Sequence, residues 1–350
     1  MAQMKQASIA IIGVGYWGPN LVRNFSKVKK VKQIHVCDLK QERLDYIKTV
    51  NSNLITTTKY DEILNNPEIN AVIIATQPLA THYMLAKKAI EHGKNVFVEK
   101  PMTSSAKESR ELIELAKKNN VILHVDHTFI YSKPIMMIKE MIDSGEIGEI
   151  YSIEMLRLNL GIFQNDFNVV WDLCPHDLSI LDYLLGESPE TVYASGGCHI
   201  NLRVEDNAHV ILRYKKNLTV HMHVSWLAPQ KVRKITIVGS KKMVVFDDVE
   251  PVEKIKIYDK GISVETAKEF KQKYYESFAE YIYYYRHGDI KIPKIDFVEP
   301  LENEANHFID CILESKKTKT DGNAGLKVVQ IIEAANKSLK ERKEISLGDD

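Results

Sequence analysis

Two short segments carry side chains whose types and spacing could do proton chemistry. In Trp171-Asp172-Leu173-Cys174-Pro175-His176-Asp177, Asp172 and His176 stand four residues apart. One helical turn puts them on the same face. An imidazole titrates near neutral pH and can take a hydroxyl proton, and a carboxylate nearby can orient the ring or bind substrate. Pro175 suits the first turn of a helix expected over 176–185. The other segment is Glu99-Lys100-Pro101, whose lysine can hydrogen-bond a reacting hydroxyl or stabilise a developing alkoxide. The residues alone leave a blander reading open for each: a helix-capping aspartate with a structural histidine, and a solvated loop charge.

A third segment binds rather than reacts. Gly13-Val14-Gly15-Tyr16-Trp17-Gly18 follows an apolar run at 8–12 and opens a helix expected over 17–28. In this context the first glycine permits a tight turn, the second lets backbone N–H groups approach a pyrophosphate, and the third lets helix and strand pack closely. An acid about twenty residues on completes the dinucleotide fingerprint. Here it is Asp38, whose carboxylate can accept both ribose hydroxyls and would repel a 2′-phosphate, favouring NAD over NADP. Lys40 and Arg43 pull the other way. Thr76 and Pro78 follow the fourth strand, at the edge where parallel sheets bind ligands. The expected cofactor site therefore comprises Gly13, Gly15, Tyr16, Trp17, Gly18, Asp38, Thr76, Pro78, His82, Glu99 and Lys100.

These segments need a scaffold, and the first third of the chain supplies one. Apolar runs at 8–12, 31–37, 54–57, 71–75, 95–98 and 121–125 alternate with helical patterns, among them 81–92 closed by Gly93 and one capped by Ser104 or Ser105. Such alternation predicts a parallel sheet of six strands with helices on both faces, a Rossmann domain over 1–127. After residue 126 the pattern changes. Helices are expected at 133–144, 176–185, 303–314 and 324–342, and strands at 150–159, 191–199, 209–214, 218–226, 234–238 and 243–247. The fold class is α/β: the Rossmann domain, then an α+β domain over 128–350 with an open, mostly antiparallel sheet. The last helix is expected to pack back on the N-terminal domain.

Composition narrows the partners. The 350 residues carry 47 basic and 47 acidic side chains. Zero net charge gives no electrostatic reason to expect nucleic acid or an anionic membrane. Four cysteines without CxxC spacing indicate neither a zinc site nor a redox dithiol. The polar N-terminus, and the lack of any apolar run near the ~20 residues of a membrane span, point to the cytoplasm. His209, His221 and His223 tempt a metal reading, but no carboxylate or cysteine cluster accompanies them, and a sheet face or subunit interface fits better. Tyr281, Tyr283, Tyr284 and Tyr285 are read as packing.

In this order and spacing, GVGYWG, Asp38, EKP and DLCPH resemble the Gfo/Idh/MocA family of oxidoreductases, over essentially the whole chain. The resemblance implies a catalytic role for Lys100, from the EKP tripeptide. Asp172 and His176 match the first acid and the histidine of the family's Asp-x-Gly-x-His-x-x-Asp motif. Cys174 replaces its glycine and Ser179 its last acid. The Asp-Leu-x-Pro-His-Asp-x-Ser form resembles members that oxidise UDP-N-acetylhexosamines or their uronic acids at C3. That implies NAD-dependent oxidation of a sugar ring hydroxyl with no metal. Arg157 and Asn159 would hold the sugar or its diphosphate, and Asn168 and Trp171 would line the sugar pocket. His127 and Tyr131 would reach the same site. A homodimer or homotetramer through the open sheet is implied as well. Two alternatives remain: a dehydrogenase of free sugars or inositols, and a non-catalytic NAD-dependent sensor or regulator.

Overall fold

The computed structural model describes residues 5–261 and 286–348, so the tyrosine cluster at 281–285 lies outside the described residues. The chain divides into two compact units, Met1–Ser132 with Val298–Glu333, and Lys133–Phe297 with Ala334–Asp350.

In the first unit, strand and helix alternate as the apolar runs predict: β1 (Ala7–Ile12), α1 (Gly18–Phe25), β2 (Val31–Cys37), α2 (Gln41–Val50), β3 (Ile55–Thr57), α3 (Tyr60–Leu64), β4 (Ile69–Ile74), α4 (Ala80–Glu91), β5 (Asn95–Val98), α5 (Ala106–Asn119) and β6 (Leu123–Val125). The strands pair in parallel in the order β3-β2-β1-β4-β5-β6, a doubly wound sheet. Side chains of successive residues leave opposite faces, and each face has its own core. Ile9, Ile11, Ala71, Ile73 and Phe97 pack with Leu21, Phe25 and Leu44. Ala10, Ile12, Val72, Ile74, Val96 and Val98 pack with Ala86, Ile90 and Leu112. Gly93, at φ +69°, follows α4, and the hydroxyl of Ser105 accepts the Glu108 N–H to cap α5.

The first unit runs five residues past the expected boundary at 127, to Ser132, and takes in two late segments, one of them most of the last helix, which is expected to pack there. The helix Pro300–Glu314, and the helix Gly322–Glu341 as far as Glu333, belong to the first unit. The reason is apolar: Leu301, Ala305, Phe308 and Ile309 complete the core over Ile9, Ile11 and Phe97. Phe308 meets Phe25 and Phe97 edge-on, with ring centroids 6.4 and 5.4 Å away.

The second unit holds α6 (Lys133–Asp143), β7 (Ile150–Leu160), α7 (Val169–Leu185), β8 (Thr191–Gly197), β9 (Asn207–Arg213), β10 (Thr219–Ser225), β11 (Leu227–Gly239), β12 (Met243–Asp247), β13 (Ile255–Gly261), β14 (Arg286–Lys291) and β15 (Ile345–Ser346). The sheet runs β14-β13-β12-β11-β7-β10-β9-β8-β15. Its pairs are antiparallel except β7 with β10, which are parallel. One face is apolar through Ile153, Met155, Val210, Val220, Met222 and Ile237. The other carries His209, stacked on His223 at 4.0 Å between centroids, and exposed His221.

Two expectations fail here. The helix expected at 176–185 begins at Val169, so Pro175 lies inside it rather than in its first turn. Val169, Val170, Trp171 and Cys174 are all buried, and that burial outweighs the loss of one backbone hydrogen bond at the proline. The strand expected at 234–238 extends back to Leu227, because Val232–Gly239 continues the ladder along β7. Among the described residues no helix is long and apolar enough to cross a membrane.

Candidate active site

The dinucleotide loop lies where the strand order reverses, between β1 and β4. Gly13, at φ +90°, donates its N–H to Cys37 O at 2.8 Å, and a Cβ there would stand 2.7 Å from Ala75 O. A Cβ on Gly18 would stand 2.2 Å from Gly13 O. Both positions therefore exclude any side chain. Beside Gly15 a Cβ would meet only the tip of Arg43, at 3.6 Å, which leaves room for an anion to approach the backbone. Tyr16 and Trp17 project outward, exposed. Asp38 is buried; its Oδ2 accepts the Val14 N–H at 2.9 Å and its Oδ1 the Lys40 N–H at 2.9 Å. Arg43 Nη1 reaches Asp38 Oδ2 at 3.4 Å while its side chain stays half exposed. The residues fit a dinucleotide: a turn closed to side chains, an open backbone over the helix N-terminus, and an anchored carboxylate at the position expected for a ribose contact.

Two further loops leave the same edge. Thr76 and Pro78 follow β4, with Thr76 Oγ1 2.5 Å from Thr81 Oγ1. Glu99 and Lys100 follow β5, and the Glu99 N–H bonds Ile74 O at 3.0 Å. His82 on α4 joins these loops: Nδ1 lies 3.0 Å from Pro101 O and Nε2 3.0 Å from Thr76 O. The ring is buried. Burial pushes its pKa down, the two carbonyls oppose that, and the Lys100 charge adds to the lowering. The structure therefore gives His82, expected to touch the cofactor, the task of spacing the two loops. Glu99 is held well above the usual carboxylate range, first by burial and then by Asp126.

In the second unit, Asp172 and His176 lie one turn apart on α7, as their spacing predicts. Asp172 Oδ2 accepts the Trp226 Nε1–H at 2.9 Å. Trp226, buried at the end of β10, packs edge-on against Phe163 at 5.8 Å. Three residues expected to hold substrate have internal partners instead. Arg157 is buried, and its Nε donates to Asp177 Oδ1 at 3.0 Å, with Nη2 on the same oxygen. Asn168 is the N-cap of α7: its Oδ1 accepts the Trp171 N–H at 3.3 Å, and its Nδ2 donates to Glu205 at 2.9 Å and Asn336 at 2.8 Å. Trp171 is buried in the first turn of that helix. Asn159 stays half-buried on β7. Ser179, at the motif's last acid position, donates to His176 O at 2.8 Å, and Cys174 at the glycine position is buried, which pushes its thiol well up.

His127 and Tyr131 are buried in the first unit, and burial drives the His127 pKa down to about 4. Asp177, Trp226, Asp126 and Glu304 escaped the sequence reading. Only Asp177, inside the motif, left a local signal there; the others act through contacts distant in sequence. Among the described residues no group of three or more His, Cys, Asp or Glu is arranged to hold a metal ion.

Comparison with known proteins settles the family. The description "oxidoreductase family, NAD-binding Rossmann fold" matches residues 7–127, and "GFO/IDH/MocA C-terminal domain" matches residues 135–245. The chain belongs to the Gfo/Idh/MocA family. It is an oxidoreductase with an NAD-binding Rossmann domain. Among its relatives is the myo-inositol 2-dehydrogenase of Thermotoga maritima, 23% identical over 97% of this chain and 98% of that protein. Two solved structures share the fold. GenD2 of gentamicin A biosynthesis, solved with NAD, has a TM-score of 0.80 at 20% identity over 99% of this chain and 98% of its own. The UDP-N-acetylglucosamine 3-dehydrogenase of Acidithiobacillus ferrooxidans has a TM-score of 0.78 at 21% identity over 97% of this chain and 99% of its own.

Proposed function

We propose that this Gfo/Idh/MocA oxidoreductase oxidises a ring hydroxyl of a sugar, at C3 of a UDP-N-acetylhexosamine or its uronic acid, with Lys100, His176 and Asp172 as the reacting set. The carrying observation is the placement of Lys100 immediately after β5, in a loop that His82 ties to the Thr76 loop at the dinucleotide edge of the sheet. Gly13, Gly15 and Gly18 would hold the pyrophosphate and Asp38 the ribose. When bound, the nicotinamide supplies the hydride acceptor. Lys100 then donates to the reacting oxygen and stabilises its negative charge as the carbonyl forms. His176 takes the hydroxyl proton, and Asp172, steadied by the Trp226 indole, holds the imidazole or a neighbouring sugar hydroxyl. No metal is required for these steps.

The nucleotide-sugar reading rests on the Asp-Leu-x-Pro-His-Asp-x-Ser form of the motif. Arg157 does not serve it, since Asp177 occupies its guanidinium; Asn159 remains a candidate for sugar contact. The inositol relatives favour the rival reading, a dehydrogenase of free cyclitols or hexoses. Turnover separates them. Purified protein with NAD is assayed for NADH formation on UDP-N-acetylhexosamines, their uronic acids, inositols and free hexoses. NADH from the UDP-sugars but not from the cyclitols supports the proposal, and NADH from inositols alone sinks it. Tight NAD binding with no NADH on any member of the panel identifies a sensor. We also propose that the protein works in the cytoplasm as a homodimer or homotetramer through the His209–His221 sheet face, testable by light scattering of His221→Glu against the parent.

A further inference from the structure

Behind the Glu99-Lys100 corner, the first unit packs three carboxyl groups and two imidazoles together. Glu99 follows β5; His124, Asp126 and His127 lie on and just after β6; Glu304 reaches in from the Pro300–Glu314 helix. His124, Asp126, His127 and Glu304 are all buried. Glu304 Oε1 accepts the His127 backbone N–H at 3.1 Å and lies 3.0 Å from His124 Nε2. His124 Nδ1 in turn lies 2.6 Å from Thr318 Oγ1, and Thr128 Oγ1 donates to Asp126 Oδ1. The Asp126 N–H bonds Val98 O at 2.8 Å, which sets Asp126 across from Glu99 at the ends of β6 and β5, and the bond to the His127 N–H sets Glu304 beside it; burial first, and then the Asp126 carboxyl, raise both glutamates. Yet Glu99 Oε1, Asp126 Oδ2 and Glu304 Oε2 are buried without a hydrogen-bond donor.

A buried acceptor without a donor is costly, and an ionised carboxylate is an acceptor only. A carboxylic acid is a donor. The same conclusion follows from charge. Three adjacent buried carboxylates cannot all ionise; such groups share protons. The histidines do not neutralise them, because burial drives His124 well below its ordinary value and His127 to about 4. The other titratable groups around the cluster are Lys100, His82 beside the Glu99 loop with its own pKa lowered by burial, Lys319 at 5.8 Å over the Tyr131 ring, and Tyr131, His307 and Cys311. The last three are pushed toward their neutral forms, chiefly by burial. Lys100 is the positive charge that opposes the raising of Glu99.

We propose that Glu99 and Glu304 are held as carboxylic acids, both donating to Asp126, so that Glu99 stands beside Lys100 as a neutral neighbour rather than as its counter-ion. Asp126 and Glu304 are then positioning residues: they act on the reaction through the charge of Lys100. An ionised Glu99 would offset that charge and weaken its stabilisation of an alkoxide. This effect on turnover rests on the proposed role of Lys100; the protonation itself does not.

Infrared spectra of the full-length protein at neutral pH, without substrate, test the protonation. The parent should show protonated-carboxyl carbonyl bands that shift in deuterated water. Glu99→Gln and Glu304→Gln should each remove one. Glutamine at 304 keeps an oxygen for the His127 N–H and offers Asp126 an N–H, so that variant should fold. A parent spectrum without such bands overturns the proposal, whatever the substrate proves to be. On the active enzyme, the fall of kcat at alkaline pH should flatten in Glu99→Gln, where position 99 can no longer ionise. An unmoved alkaline limb removes the positioning role. Bands without turnover on any sugar or cyclitol leave the acid chain in place and discard the dehydrogenase reading instead.

Discussion

The Glu99-Lys100-Pro101 corner and the Asp172–His176 turn carry the same kind of chemistry on different foundations. The corner hangs from a parallel ladder. Its backbone is set by Ile74 O on one side and by β6 on the other, where Asp126 N–H bonds Val98 O at 2.8 Å. The turn sits within a helix whose place is fixed by side chains from segments distant in sequence: Arg157 to Asp177, Trp226 to Asp172, and Asn168 to Glu205. In the first region the backbone positions the chemistry, and substitutions of side chains should leave the frame standing. In the second, side chains are the frame, and removing one should displace the chemistry with it.

Function gives the widest test of that contrast. Lys100→Ala and His176→Ala should each lower kcat by roughly 100- to 10,000-fold, the range for acid–base and electrostatic groups. The comparison adds that only Lys100→Ala should do so with an unchanged unfolding midpoint. Near-normal turnover in either variant takes that residue out of the mechanism. Next in size, Arg157→Met leaves Asp177 buried without its partner, and urea titration should show a loss of about 3–5 kcal/mol. The double variant Arg157→Met with Asp177→Leu should regain most of it. A loss below about 1 kcal/mol in the single variant would mean the pair does not fix α7. Trp226→Phe deletes one hydrogen bond to a carboxylate and should cost about 10- to 150-fold in kcat/KM, on the scale of 1.5–3 kcal/mol for such bonds; no change would leave Asp172 positioned by other means.

The smallest effect concerns pH. Glu99 and Glu304 are raised above the unfolded carboxyl value, so above about pH 4.3 each of these two groups binds more protons in the folded than in the unfolded chain. Their stabilising protonation is complete below that value and is lost as pH rises through their folded pKa. Relative to Glu304→Gln, the parent's melting temperature should therefore fall as pH rises through the folded pKa of Glu304, whatever the slope that the two proteins share. Equal slopes would show that Glu304 is ionised in the folded state.

This contrast also explains what could be read from the sequence. A glycine that admits no Cβ, an acid ending β2 and an apolar run every other layer are local constraints, and each leaves a residue type at a fixed spacing. The six parallel strands and the Asp172–His176 face followed from such marks. The start of α7 did not, because Pro175 reads as a beginning while the burial of Val169 and Trp171 is decided by the sheet beneath. Arg157 shows the same limit from another side. Its residue type suits a phosphate, and only the fold discloses that Asp177 already occupies it. Glu304 is more than 170 positions from His127, whose N–H it accepts (|i−j| = 177), and nothing local marks it as part of the corner.

The return of Pro300–Glu314 to the first unit bears on how a ribosome makes this protein. When residue 132 has emerged, all six parallel strands exist, but the face bearing Ile9, Ile11, Phe25 and Phe97 still lacks Leu301, Ala305 and Phe308. The nascent Rossmann sheet must wait with part of that oily side, beyond what α1 and α2 cover, exposed until some 170 further residues (298 less 132 is 166) have been translated. Chaperone demand should peak in that interval, and a chain truncated at Ser132 should aggregate where one extended through Glu333 does not.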